Sequence, residues 1–108
     1  KAAALELFRR MMQIADNTGS TDKHRALNYL SVRYPAIYAK AAGEQERNFS
    51  LTSVEAVSSR LSDSRKIISV VFTFANKEIG IVEKYFVRVD VSEEYPFLVT
   101  KMSPYYDR

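Results

Sequence analysis

The 108 residues contain no cysteine, no tryptophan and a single histidine. Without cysteine there is no disulfide, no thiolate metal site and no thiol nucleophile. Packing alone must hold the fold, which suits a reducing compartment. One histidine, His24, and three glycines are poor material for a serine nucleophile, which needs a base and an oxyanion hole. Ser58, Ser59, Ser62, Ser64 and Ser69 therefore read as strand-end and turn serines. No glycine loop of the phosphate-cradling kind is present. With only three glycines and three prolines, the chain does not resemble a disordered or low-complexity segment. No apolar run approaches the ~18 residues of a membrane span. No basic-then-apolar leader is visible. The first residue is Lys1 rather than Met, and the expectation is that the chain is a piece of something longer.

A concentrated stripe of one charge is also missing. The net charge is +3, and Arg9, Arg10, Lys23, Arg25, Arg33, Lys40, Arg47, Arg60, Arg65, Lys66, Lys77, Lys84 and Arg88 are scattered among acids. Nucleic-acid binders more often gather their cations on one face, so neither nucleic acid nor membrane is expected as a partner. The hydrophobic fraction of 46% and charged fraction of 27% are those of an ordinary globular chain, and the length fits one domain, residues 1–108.

The periodicity divides the chain in two. Residues 1–17, KAAALELFRRMMQIADN, are rich in helix formers, and Ala4, Leu7, Phe8, Met11, Met12 and Ala15 fall on one face. NTGST then stops one helix and starts another. Gly19 can take the left-handed conformation that ends a helix, Ser20 or Thr21 can cap the next, and Asp22 suits its first turn. Residues 22–45 repeat the helical spacing at Leu27, Leu30, Tyr34, Ile37, Tyr38 and Ala41, interrupted by Pro35. The helix either kinks there or gives way to another that has Pro35 in its first turn; the break is the expectation. Gly43 lies close to the end of this segment.

After GEQERNFS, residues 43–50, the period changes from 3.6 to 2. LTSVEAVSSRLS is a weakly patterned first strand. RKIISVVFTFANK is the strongest, with Ile68, Val70, Phe72 and Phe74 on one face. IVEKYFVRVDVS alternates Tyr85, Val87, Val89 and Val91 against Lys84, Phe86, Arg88 and Asp90, which predicts one buried and one wet face. FLVTKM is a last short strand, and Pro104 is expected to stop its pairing. Short loops force antiparallel neighbours. The fold class is therefore α+β: N-terminal helices packed on one face of a three- to four-stranded antiparallel meander.

Chemistry-bearing residues are few. His24 is a weak metal candidate with only Asp22 near it in sequence, and it reads as a surface residue in the first turn of a helix. The pairs Glu93–Glu94 and Glu44–Glu46 read as carboxylates facing water. No catalytic residue and no cofactor is expected. Tyrosine and arginine are enriched at protein interfaces. This makes Arg33, Tyr34, Tyr38, Tyr105, Tyr106 and Arg108 candidate binding anchors, against the plainer reading of core-edge tyrosines with wet hydroxyls.

Two stretches, NYL-x-VRYPAIYA within 22–41 and VRVDV-x-EE-x-PFLVTK-x-SPYYDR within 82–108, are long and unusual, and residues 48–76 fit the same pattern. Over roughly residues 20 to 108 the chain resembles the C-terminal domain of unknown function shared by the cyanobactin maturation proteases typified by PatA and PatG. That resemblance implies a parent with a subtilisin-like serine protease domain that cuts, or cuts and cyclises, a ribosomally made precursor peptide. The catalytic Asp, His and Ser belong to that other domain, and none can be carried onto this chain. The implied role is a non-catalytic interaction module in the cytoplasm of a cyanobacterium. Its partners would be the parent protease domain, a sister maturation enzyme or the precursor peptide, with a homodimer as a further expectation. A purely structural or dimerisation cap is the alternative, and an enzyme with an unrecognised site is the remoter one. An extended peptide would pair with an exposed edge strand, for which TSVEAVSS is the best candidate.

Overall fold

A computed structural model describes residues 2–59 and 64–106. Three helices, α1 (Ala2–Asn17), α2 (Thr21–Arg33) and α3 (Ala36–Glu46), precede four strands. These are β1 (Ser50–Ser59), β2 (Ile67–Asn76), β3 (Ile81–Asp90) and β4 (Phe97–Pro104). The strands form one antiparallel sheet in the order β1-β2-β3-β4, and the helices pack on one of its faces. The α+β meander expected from the sequence is thus the fold, in its four-stranded form.

Local chemistry sets the helix ends. The Ser20 hydroxyl caps α2 by accepting from the Lys23 N–H at 3.3 Å. Pro35 separates α2 from α3 and sits as the N-cap of α3 at φ −65°, so the chain breaks rather than kinks. Tyr34 is left at φ −129°, outside the helical region that a following proline disfavours. The left-handed residue that ends a helix is Asn48 (φ 69°), not Gly19 or Gly43. There the N–H of Phe49 donates to the carbonyl of Glu44 and that of Asn48 to Gln45, at 2.8 and 3.0 Å, satisfying the last carbonyls of α3. Gly80 (φ 72°) turns the β2–β3 hairpin, helped by the Asn76 side chain, which accepts from the N–H groups of Glu78 and Ile79.

Between the layers lie Leu7, Met11, Leu27, Leu30 and Ile37 from the helices and Val70, Phe72, Phe74, Val87 and Val89 from the sheet, all buried. Tyr85, expected in this core, is partly buried and packs against it. Phe8 was expected on the inner face of α1 but is exposed. Leu7, Met11 and Ala15 step by four along the buried line, and Phe8 lies one residue round from it on the helix flank.

The helix-free face of the sheet is less wet than alternation predicts. Ile67, Ser69, Val71 and Asp90 are buried on it. Their cover comes from neighbouring side chains. Arg88 lies over the Phe86 ring at 4.5 Å, Tyr105 meets the same ring edge-on at 5.7 Å, and Arg65 bonds Asp90 at 2.7 Å.

Pro104 does not stop the pairing of β4. It is opposite Tyr85 in register, and the Tyr105 N–H continues the ladder to the carbonyl of Lys84 at 2.9 Å. A proline is tolerated there because β4 is the outermost strand.

Candidate interaction surfaces

The candidate anchors do not converge. Tyr34, at the end of α2, turns inward, and its hydroxyl accepts from the Met102 N–H on β4 at 3.0 Å. The Tyr38 hydroxyl donates to the carbonyl of Ser31 at 2.7 Å, and burial raises its pKa above the ordinary tyrosine value. Both rings pack against the core. Tyr34→Phe is accordingly expected to cost about 1–2 kcal/mol, the usual penalty for an orphaned, partly buried N–H. Chemical denaturation would show it, and an unchanged midpoint would mean that water replaces the hydroxyl.

Arg33 is exposed at the C-terminal end of α2. Tyr105 lies on the opposite, helix-free face against Phe86, and Tyr106 stands in solvent. Arg108, like Ser62, lies outside the described residues. His24 is exposed in α2, with its Nδ1 3.1 Å from the carbonyl of Ala15. Among the described residues no group of three or more His, Asp or Glu side chains could hold a metal ion.

Sequence reasoning missed a charge network between α3 and β3. Glu44 does not face water as expected but is 2% exposed, with Lys40 Nζ at 3.1 Å and Arg47 Nη1 at 3.0 Å. The spacings i, i+4 and i, i+3 put all three on one side of α3. Arg47 reaches on to Glu83 through two bonds of 3.1 and 3.0 Å, and the Tyr85 hydroxyl donates to the same carboxylate at 2.9 Å. Lys40 lies 3.8 Å from the centre of the Tyr85 ring. Burial opposes the charge on Lys40, but its bonds to Tyr85 and Glu44 outweigh this and raise its pKa. The Arg47 bonds are the main reason the Glu83 carboxyl is lowered to about 2.

The Glu83 shift has a definite sign. A carboxyl with a depressed folded pKa binds fewer protons folded than unfolded. Its contribution is present above the ordinary value of 4.5 and is lost as pH falls towards about 2. Asp90 adds to the trend: burial would raise its pKa, but bonds from Arg65 and Ser92 outweigh that and lower it. The Glu83→Gln variant is expected to be less stable than the wild type at pH 7 and to converge with it near pH 2. Denaturation midpoints across this range test it, and a constant gap down to pH 2 would contradict it.

The two sheet edges differ. On β4 the register shifts twice, between Phe86 and Arg88 and between Arg88 and Val89 of its neighbour, and the strand ends in Pro104. Bulges and proline are the usual devices that blunt an edge. On β1 the one irregularity falls between Leu51 and Ser53, where Arg10 Nη1 donates to the Thr52 carbonyl at 2.9 Å. From Ser53 to Ser59 the pairing with β2 is regular, the segment holds no proline, and among the described residues no strand lies beyond it.

The family model described as PatG C-terminal matches residues 1–105 of this sequence. The chain belongs to the PatG C-terminal family. It is also similar to a solved structure titled "PatG Domain of Unknown Function", with a TM-score of 0.76 and 20% identity over 96% of this chain and 41% of that one. At that identity the likeness concerns the fold, and this chain spans less than half of the solved PatG chain. No curated protein matches. The family's name thus carries no assigned activity, and no helix here is long and apolar enough to cross a membrane.

Proposed function

We propose that this PatG C-terminal domain is a non-catalytic interaction module of a cyanobactin maturation protease, working in the cytoplasm beside the protease domain of its parent. The observation that carries the reading is the regular, open run of β1 from Ser53 to Ser59. An edge of this kind accepts an extended segment by main-chain pairing. The contrast with the bulged, proline-ended β4 favours β1 as the receiving edge. A precursor peptide, necessarily extended to be cut, is the natural occupant, with the protease domain or a sister enzyme as other partners.

Calorimetric titration of the domain with precursor peptide, core peptide and isolated protease domains tests this. A peptide that binds by strand addition is expected to lose at least about tenfold in affinity when alternate backbone amides are N-methylated, about 1.4 kcal/mol or more. Equal affinity of the methylated peptide would remove strand addition. Silence in all titrations, with unchanged processing by a parent lacking the domain, would leave a structural or dimerisation cap. In that case the same edge would serve a second copy of the chain.

A further inference from the structure

A groove of about 380 Å³ lies between α2 and the turn that joins β3 to β4, lined by Arg25, Asn28, Tyr29, Arg33, Tyr95 and Pro96. Its lining holds two arginines and two tyrosines. Arg10, Lys40, Arg47 and Arg65 each face a carboxylate. Among the described residues, neither Arg25 nor Arg33 does, and no acid lines the groove.

Arg25 builds the site. Its guanidinium donates to the carbonyls of Val91 (2.6 Å), Glu93 and Glu94 (2.8 Å), which fixes the turn against α2. Carbonyl dipoles satisfy its donors without cancelling its charge. The turn thereby holds Tyr95, 78% exposed, beside the half-buried Tyr29 across a ready-made gap. Arg33 is exposed at the rim with its planar fork available.

We propose that this groove recognises an acidic peptide, with Arg33 taking a carboxylate, Asn28 a main-chain group, and Tyr29 and Tyr95 clasping the neighbouring apolar side chain. Uncompensated positive charge calls for an anion, and two tyrosines call for an apolar body attached to it. A nucleic-acid backbone fits less well. It needs a track of cations, whereas Arg33 is the one guanidinium here not already bonded to carbonyls. The site is separate from the β1 edge and does not depend on strand addition.

The test is an NMR titration of the full chain with the acetylated, amidated hexapeptide Leu-Glu-Phe-Asp-Leu-Glu. Its counterpart with Gln and Asn for the acids, and inorganic phosphate, serve as the other arms. Saturable shifts are expected at the amides of residues 25–33 and 93–97, with at least about tenfold weaker binding for Arg33→Gln and for Tyr95→Ala. Both residues are exposed, so both variants should keep the wild-type spectrum elsewhere. No saturable shift, equal binding of the neutral peptide, or no effect of Arg33→Gln would overturn the proposal. Shifts confined to residues 53–59 would place the peptide on β1 and overturn it as well. An equal response to phosphate would make this a site for any small anion and remove the peptide assignment.

Discussion

Replacing Lys40 and Arg47 together by methionine is expected to lower the melting temperature by more than about 10 °C, because it strands a buried carboxylate. Glu44 is 2% exposed, and among the described residues these two cations pair with its carboxylate. Methionine keeps much of the apolar stem of each side chain, so the loss reports on charge rather than on packing. Removing the acid should be milder. In Glu44→Leu, Arg47 keeps its pair with Glu83, Lys40 keeps the Tyr85 ring, and the two cations are 53% and 32% exposed and can turn to water. Adding Glu44→Leu to the double variant should therefore recover a large part of the loss, since it removes the stranded buried carboxylate, while Glu83, 26% exposed, can be hydrated. Thermal melts of the four proteins decide the matter. A double variant that melts like the wild type, or a triple variant worse than the double, would show that Glu44 reaches water after all.

This network shows where sequence reading stops. Lys40, Glu44 and Arg47 have the spacing of helix-face partners, and that part was legible. Pairing Glu44 with Glu46 as two wet carboxylates overlooked it. Glu83 lies 36 residues beyond Arg47, and nothing in the local pattern announces that contact. The same holds for Tyr34 and Met102, which are 68 positions apart. The layer order and the break at Pro35 were legible because each rests on period or on proline chemistry alone. The two register shifts of β4 were not, because a strand at the edge can slip a residue without moving the core residues of its neighbour.

The interaction surfaces divide in the same way. Arg33 and the β1 edge could be singled out from residue type and strand pattern. The groove at Arg33 could not, because its far wall, Tyr95 and Pro96, arrives only when Arg25 binds the carbonyls of the β3–β4 turn. Tyr34 and Tyr38 belonged by composition with the other tyrosines, but their hydroxyls face the fold's own backbone. A tyrosine's value to a partner depends on which end of the ring is wet, and that is a tertiary property.

The second large effect separates the faces of the sheet. Phe72 and Phe86 lie on adjacent strands, opposite Tyr85 and Val71 respectively, so their rings leave the sheet on opposite sides. Phe72 is fully buried beneath the helices, in a core that includes Leu27, Leu30 and Val70. Phe86 is half-buried, held by Tyr105 edge-on and by Arg88 across its face. Phe72→Ala is expected to cost about 3–5 kcal/mol, the transfer energy of the ring plus the cavity it leaves. Phe86→Ala should cost about 1–2 kcal/mol, since its ring is already partly hydrated and the lost aromatic and cation–π contacts are each small. In urea the two midpoints should therefore fall well apart, with Phe72→Ala the lower. Equal losses would mean that the helix-free face is covered as thoroughly as the core. If that cover came from self-association, the Phe86→Ala midpoint would depend on protein concentration, whereas the Phe72→Ala deficit would persist at every dilution.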